Sequence, residues 1–462
     1  VDNTGNIVGD VTNSERKPVP GDNVYLTLDT NLQVVLTKAL TDEMNRIRRE
    51  KRGAKNLTAA GVVMNCKTGE VLALVSLPSF DNNLFRGIGL TSKEDSDLEA
   101  LLTAPSEVSP LLNRSISGLY PPGSTFKMIP ALAALTEGKV RNGTAFNCAQ
   151  YIYVPTSEDP ANPNFRRKFK CWGRHGIQDV LGSIKNSCDV FYYNVGQEYE
   201  VSRLTGQPVG YFESPTTTQP FFPFNGVGID KMNKYMELFQ IGKRTGIELP
   251  GESAGFLPTK ANYPILFPGG NWSVGDSLVT AIGQGNLLMT PLQLCSTTVA
   301  LANSGKVLQP RIIKKVVDLN GNVKIPDEPV VKTEIQEKDI PRRHFQTIQL
   351  GMFQVTQAGG TAQSTMAGKM GRLEVAGKTG TAEYGDSIGK DAEDNLLFAT
   401  YAWFTCYAPY RNPEIAVSIL IATGDNVTEG ATYAVPPAKT VLEAYFPNVT
   451  APPTTPTVQP RP

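Results

Sequence analysis

Three short motifs occur in a fixed order along this chain: Ser124-Thr125-Phe126-Lys127, Ser187-Cys188-Asp189 and Lys378-Thr379-Gly380-Thr381. If they act together, the chain must fold so that segments far apart in sequence meet. A hydroxyl with a lysine three residues later is a self-contained activation unit. Positions i and i+3 share a helix face, so the Lys127 amine can reach the Ser124 hydroxyl. A lysine that takes this proton must be neutral when it acts, a state favoured by burial or by a second cation nearby. Lys378 is a candidate for that cation.

The flanks sharpen this reading. Tyr120-Pro121-Pro122-Gly123 disfavours helix up to the serine and permits a tight entry. A helix that starts at or near Ser124 puts the nucleophile at the positive end of the helix dipole, where an oxyanion is best tolerated. S-x-x-K alone is common, and an N-cap role is the simpler reading of Ser124 by itself. Three ordered motifs, each in a fitting context, turn the reading to catalysis. The tripeptide Lys67-Thr68-Gly69 repeats part of the third motif between two apolar runs, and there it reads as an ordinary hairpin turn.

Composition removes several alternatives. Lys+Arg and Asp+Glu both total 44, so net charge is zero and no nucleic-acid partner is implied. The two histidines are His175 and His344, and neither sits in a Ser-His-Asp context. No stretch approaches the ~18 to 20 apolar residues needed to cross a bilayer. Six cysteines in 462 residues do not make a disulfide scaffold. Cys66, Cys295 and Cys406 lie in apolar runs and read as core thiols.

Residues 1–22 are polar and turn-rich and read as a linker. Val24 to Leu28 alternates like a strand, and an amphipathic helix follows from Asn31, capped by Asp29 or Thr30. Leu32, Val35, Leu36, Ala39, Leu40 and Ile47 mark its apolar side. A hairpin comes next, Gly61 to Cys66 and Val71 to Ser76 around the turn at 67–70. From Ser124 to about Thr365 the chain reads as helical segments broken by proline- and glycine-rich loops. One of these, Gln207 to Asn225, carries Tyr211, Phe212, Phe221, Phe222 and Phe224 and reads as a loop packed onto the domain. Strand patterns return at Ala399 to Tyr407 and Ile415 to Thr423. Strands at both ends with helices between suggest an α+β fold: one antiparallel sheet from N- and C-terminal segments with a largely helical insertion. The domain then spans 23–446, and the Pro/Thr-rich tail 447–462 is expected to be disordered.

The chain resembles the transpeptidase domain of class B penicillin-binding proteins, most closely the elongation-type members. The resemblance rests on Tyr120 to Lys127, Ser187 to Tyr193, Ala281 to Leu294 (AIGQGNLLMTPLQL), Gly359 to Ala362 (GGTA) and Ala376 to Glu383. Many members carry asparagine where this chain has Asp189, and S-x-D is found chiefly in the elongation group. The resemblance implies a penicillin-binding transpeptidase/serine β-lactamase-like fold and a peptidoglycan D,D-transpeptidase that β-lactams inhibit covalently. It implies roles as well. Ser124 forms the acyl-enzyme, Lys127 acts as base, and Ser187 relays a proton while Asp189 positions the lysine or the substrate amide. Lys378, Thr379 and Thr381 bind the substrate carboxylate, and Gly380 permits close approach. The oxyanion hole falls to the backbone N–H groups of Ser124 and Thr381. No cofactor is required for this chemistry.

The partners so implied are peptidoglycan stem peptides on lipid-linked precursors, and a SEDS-type glycosyltransferase bound through an upstream region. The chain begins at Val1. The resemblance implies a pedestal domain, of which residues 1–22 would be a remnant, and a transmembrane anchor before it, with the enzyme on the extracytoplasmic face of the membrane. Two other readings are a β-lactam-binding receptor without turnover and a class D-type β-lactamase. The latter is shorter and has S-x-V where this chain has Ser187-Cys188-Asp189.

Cys148, Cys171, His175 and Cys188 fall in one stretch that ends inside the second motif. One reading is a Cys₃His zinc site holding a local hairpin against the catalytic wall. Some elongation-type relatives resemble this, with a metal bound through a histidine and the middle residue of S-x-D. The other reading is a Cys148–Cys171 disulfide, with His175 on the surface and Cys188 buried.

Overall fold

Apolar runs at the two ends of the chain build a single sheet. The structure is a computed structural model that describes residues 20–51, 54, 56–155, 166–198, 224–367, 372–390, 396–423 and 429–450. Helix α1 (Thr30–Glu50) starts where Asp29 caps it, accepting a hydrogen bond from the Leu32 N–H at 3.0 Å. Strands β1 (Thr58–Asn65) and β2 (Val71–Leu77) form the expected hairpin. In its turn Asn65 Oδ1 accepts from the Lys67 and Thr68 N–H groups, and Gly69 takes φ +74°. The first K-T-G is therefore a turn and nothing more.

Helix α2 (Met128–Thr136), α3 (Val180–Lys185), α4 (Asp189–Gly196), α5 (Pro291–Ala302) and α6 (Arg342–Thr356) belong to the insertion. Strands β3 (Ala376–Lys390), β4 (Leu396–Ala408) and β5 (Ile415–Ala422) then return to the sheet, followed by α7 (Val435–Tyr445). The sheet order is β3-β4-β5-β1-β2 and every neighbouring pair is antiparallel. The α+β architecture with N- and C-terminal strands in one sheet is the one expected.

Both faces of the sheet are covered, so β5 is buried at every residue instead of alternating. On one face α1 packs so closely that a Cβ at Gly61 would lie 2.8 Å from Leu36 Cδ1. On the other, α5 lies over β1, β4 and β5, with a buried hydroxyl pair Thr298–Thr405 at 2.6 Å and Thr405–Ser418 at 2.7 Å. Cys66, Cys295 and Cys406 are fully buried, as their apolar surroundings require.

Three expectations need correction. The middle of the chain is not helical alone. It also holds short strand pairs: Phe146–Cys148 with Gly176–Gln178, Tyr151–Pro155 with Arg166–Lys170, Lys306–Leu308 with Val331–Glu334, and Ile313–Val317 between Asn23–Leu26 and Val323–Ile325. Strands of three to five residues are shorter than the window in which alternation can be told from chance. The first strand ends at Leu26, before Leu28, because Thr27 turns its hydroxyl onto the Val71 carbonyl at 2.7 Å. The tail is ordered at its start: Pro447–Thr450 forms a helical turn, for which proline's fixed φ is preset. Residues 1–19, the aromatics at 211, 212, 221 and 222, and residues 451–462 lie outside the described residues. Among the described residues no helix is long and apolar enough to cross a membrane.

Candidate active site

From Tyr120 to Leu135 every residue is buried except Ser124, which is half-buried. The run Met128-Ile-Pro-Ala-Leu-Ala-Ala-Leu135 is apolar all round and pins α2 in the core. The segment before it therefore has one polar side chain left to present at the surface of the groove. Helix does not start at Ser124 as expected. Gly123–Phe126 forms a 3-10 turn and α2 begins at Met128. The turn is clamped by glycines. Gly123 has φ +54°, and a Cβ there would lie 2.6 Å from the Thr381 carbonyl oxygen. A Cβ at Gly380 would lie 2.8 Å from Thr125 Cγ2, and one at Gly283 would lie 2.1 Å from the Gly123 oxygen. The third motif and the AIGQGN segment thus hold the Ser124 turn from two sides. Trp403 Nε1 donates to the Pro121 oxygen at 3.0 Å and completes the clamp.

Lys127 is fully buried. Its ammonium donates to Asp189 Oδ1 at 2.6 Å, to the Ser187 carbonyl at 2.8 Å and to Ser187 Oγ at 3.4 Å, and it lies 5.3 Å from the Tyr192 ring centroid. An i, i+3 spacing on a helix would aim Lys127 at Ser124; in the structure Lys127 is turned onto the second motif. A 3-10 turn at the motif and a buried carboxylate explain the difference. Ser187 sits at φ +55°, uncommon for a side chain with a Cβ, and this backbone turn directs its carbonyl to Lys127. Asp189 is the first residue of α4, where the helix dipole favours its charge. Burial raises its carboxyl above the ordinary range, and Lys127 opposes that shift.

Lys378 is also fully buried, with its ammonium on the Thr379 carbonyl at 3.0 Å. Burial first, and the charge of Lys127 second, push its amine well below the usual lysine range. The three ionisable groups Lys127, Asp189 and Lys378 therefore form one electrostatic unit, in which the effect seen is that of Lys127 on Lys378. Thr379 is buried and its hydroxyl pairs with that of Thr361 at 2.7 Å. Thr381 accepts the Gly430 N–H at 3.3 Å and is half-buried. All eight residues assigned from the three motifs are thus placed on the Ser124 turn, the start of α4 and the start of β3.

The cysteine cluster converges as well. The ligand atoms of Cys148, Cys171, His175 and Cys188 all lie within 4.8 Å of one another. His175 Nδ1 is 3.5 Å from Cys148 Sγ and 3.4 Å from Cys171 Sγ. A tetrahedral ion with Zn–S of about 2.3 Å sets S···S near ~3.8 Å, so this donor set has the size and softness that zinc takes. The Cys148–Cys171 disulfide is not formed: all six cysteines are free, and these two sulfurs both face His175. His175 is half-buried instead of lying on the surface, with Nε2 sealed and unpaired. Hydrogen bonding to Cys148 and then Cys171 pushes the imidazole up to about 9, while the Cys171 thiol is driven down by its hydrogen bonds to Cys148 and Cys188. Cys171 Sγ also accepts the Asp189 N–H at 3.2 Å, which joins the cluster to the second motif.

Two site residues carried no sequence signal of their own role. Trp172 is 64% exposed, yet its indole N–H is held by the Asn186 and Ser187 carbonyls at 3.1 and 3.2 Å. Its position next to Cys171 was the only clue. Thr361 lay inside the G-G-T-A segment, but nothing local said that it would meet Thr379.

A buried serine–lysine–aspartate group beside a strand-borne lysine, on an antiparallel sheet split around helices, defines a penicillin-binding transpeptidase. Residues 59–443 match the penicillin binding protein transpeptidase domain, and the chain belongs to that family. It is 30% identical over 460 residues to peptidoglycan D,D-transpeptidase MrdA of Haemophilus influenzae, covering 96% of this chain and 59% of that protein. It is 31% identical over 430 residues to MrdA of Escherichia coli, covering 92% and 58%. The chain spans about three-fifths of the length of these curated relatives. Among solved structures it is similar to Pseudomonas aeruginosa PBP2 in complex with WCK 5153, at 27% identity and TM-score 0.66, covering 93% of this chain and 80% of that one. Helicobacter pylori PBP2 in complex with MreC matches at 25% identity and TM-score 0.65, covering 92% and 64%.

Proposed function

We propose that this domain is a peptidoglycan D,D-transpeptidase of the elongation type, working through an acyl-enzyme on Ser124. The observation that carries this reading is the half-buried Ser124 on an otherwise buried turn clamped against β3, with Lys127 of the same motif bonded to Ser187 and Asp189. Ser124 attacks the penultimate D-alanine carbonyl of a stem peptide ending in D-Ala-D-Ala. The C–N bond breaks and terminal D-alanine leaves. Acting as base, Lys127 takes the serine proton, and Ser187 passes a proton to the leaving amine. A neighbouring stem peptide's amine then attacks the ester, restoring Ser124 and forming the cross-link.

Lys378 attracts the terminal carboxylate of the donor. That anion favours the charged form of an amine that the empty site holds low, so donor binding takes up a proton at Lys378. Asp189 orients Lys127 through the 2.6 Å contact. Backbone N–H groups of Ser124 and Thr381 receive the oxyanion, each worth about 2.7–4 kcal/mol of barrier.

Cys148, Cys171, His175 and Cys188 would hold a structural zinc ion. Zinc there would cross-link the Phe146–Cys148 strand to the start of α4 and, through Cys171, fix Asp189. The setting we propose is the extracytoplasmic face of the cell membrane, beside a SEDS-type glycosyltransferase. A partner protein is in keeping with the Helicobacter pylori relative, which was solved with MreC.

The test is covalent labelling. Intact mass after benzylpenicillin should rise by one adduct that persists for hours, and Ser124→Ala should remain folded and unlabelled. A D-Ala-D-Ala donor with an amine acceptor should then give cross-linked product. Labelling of folded Ser124→Ala, or rapid loss of the adduct by hydrolysis, would overturn the assignment.

A further inference from the structure

The Gly359-Gly360-Thr361-Ala362 turn has no part in the chemistry above, yet it is built to a fixed shape. Gly359 has φ +74°. A Cβ at Gly360 would lie 2.2 Å from the Val355 oxygen and 2.4 Å from the Gln354 oxygen. Only glycine lets the chain fold back so tightly on the end of α6. The Gly359 N–H donates to Gln363 Oε1 at 2.7 Å, Gly360 to the Gln357 carbonyl at 2.9 Å, and Ala362 to the Val355 carbonyl at 3.0 Å. The end of α6 is itself tied to the strand, because Thr356 Oγ1 donates to the Val375 carbonyl at 2.6 Å. The product of this bracing is one contact: Thr361 Oγ1 lies 2.7 Å from Thr379 Oγ1, on the middle residue of the third motif.

We propose that Thr361 is a positioning residue for carboxylate recognition: it donates its hydroxyl proton to Thr379 and leaves the Thr379 proton for the substrate carboxylate. The inference rests on the transpeptidase reading above. A carboxylate can only accept, so Thr379 must donate to it. Thr379 has one proton, so its contact with Thr361 must then run the other way, with Thr361 as donor. The resulting chain, Thr361 O–H to Thr379 O–H to carboxylate, runs in one direction, and each bond polarises the next. Thr361 thereby makes Thr379 a committed donor beside Lys378, and selects substrates that end in a free carboxylate.

The experiment compares acylation of wild type, Thr361→Val and Thr361→Ser by benzylpenicillin and by its uncharged methyl ester, followed by intact mass. Valine keeps the shape and removes the donor; serine keeps the donor. In Thr361→Val the second-order rate for benzylpenicillin should fall about tenfold, the scale of one lost hydrogen bond to a charged group. The ester rate should stay within about twofold, so the acid-to-ester preference collapses. Thr361→Ser should stay within about twofold of wild type on both. A merely structural role would slow acid and ester together and leave their ratio unmoved, which would overturn the proposal, as would a Thr361→Val enzyme with wild-type rates. If wild type is acylated by neither compound, the transpeptidase reading falls and this one with it. Normal wild-type acylation with an unmoved ratio removes Thr361 alone.

Discussion

The Lys127 ammonium and the Asp189 carboxylate meet at 2.6 Å, with the lysine side chain fully buried and the aspartate side chain 13% exposed. Sixty-two positions separate them in sequence, and no local pattern joins them. The contact turns the lysine of the first motif onto the second motif and makes the two motifs one unit. Lys378 stands close enough for the Lys127 charge to depress its amine.

Lys127→Arg keeps the charge and loses the base, because arginine stays protonated under essentially all conditions. Acylation by benzylpenicillin should fall about 10²–10⁴-fold, the usual share of a general base. Stopped-flow or quenched mass measurements check this; rates within a few-fold of wild type would leave Lys127 a structural residue.

Asp189→Ala removes one partner of a buried ion pair and leaves the Lys127 charge without compensation. Unfolding free energy should drop by about 3–5 kcal/mol. Asp189→Asn, whose amide oxygen still accepts from Lys127, should cost less. Urea titration of the two variants orders them, and equal losses would mean that charge contributes nothing to the contact.

Acid-to-ester preference should depend on pH through Lys378. Its amine is held well below 10.5, so in the empty site the charged form is present below that lowered value and lost above it. As pH rises through this window, the rate ratio of benzylpenicillin to its methyl ester should fall by up to about tenfold per unit, the slope of one proton. A flat ratio across the neutral and alkaline range would show that Lys378 does not meet the carboxylate.

Metal content tests the cysteine cluster. Protein purified without chelator should contain about one equivalent of zinc, and chelation should lower the melting temperature and slow acylation through Asp189. Cys171→Ser should lower the zinc content and show the same acylation defect. Metal-free protein purified without chelator would remove the zinc reading.

Gly123→Ala should be costly despite adding one carbon. The residue has φ +54°, and the new Cβ would meet the Thr381 oxygen at 2.6 Å. Strain of this kind costs about 1–3 kcal/mol, and the carbonyl cannot move without shifting β3. A lower melting temperature together with at least tenfold slower acylation is expected; full activity would mean that the turn tolerates displacement from the strand.

Much was legible in residue order. Ordered motifs marked Ser124, Lys127, Ser187, Asp189 and Lys378, since catalytic chemistry demands particular side chains at short spacing. Helical periodicity marked α1, and short apolar runs bounded by turn residues marked the β1–β2 hairpin, β4 and β5. The spacing of Cys148, Cys171, His175 and Cys188 marked a cluster, but spacing alone could not separate a disulfide from a metal site.

The tertiary structure decided what depends on distant neighbours. Lys127 turns to Asp189 instead of Ser124 because burial leaves its charge one good partner, and that partner arrives on another helix. Thr361 meets Thr379 only because α6 delivers its C-terminal turn to β3. Gly123, Gly283 and Gly380 are needed because three backbones converge where a Cβ has no room. The sequence by itself determined which chemical groups were present and which local faces were apolar. Their aim came from packing, because a side chain's hydrogen-bond partner is set by what burial brings within about 3 Å of it.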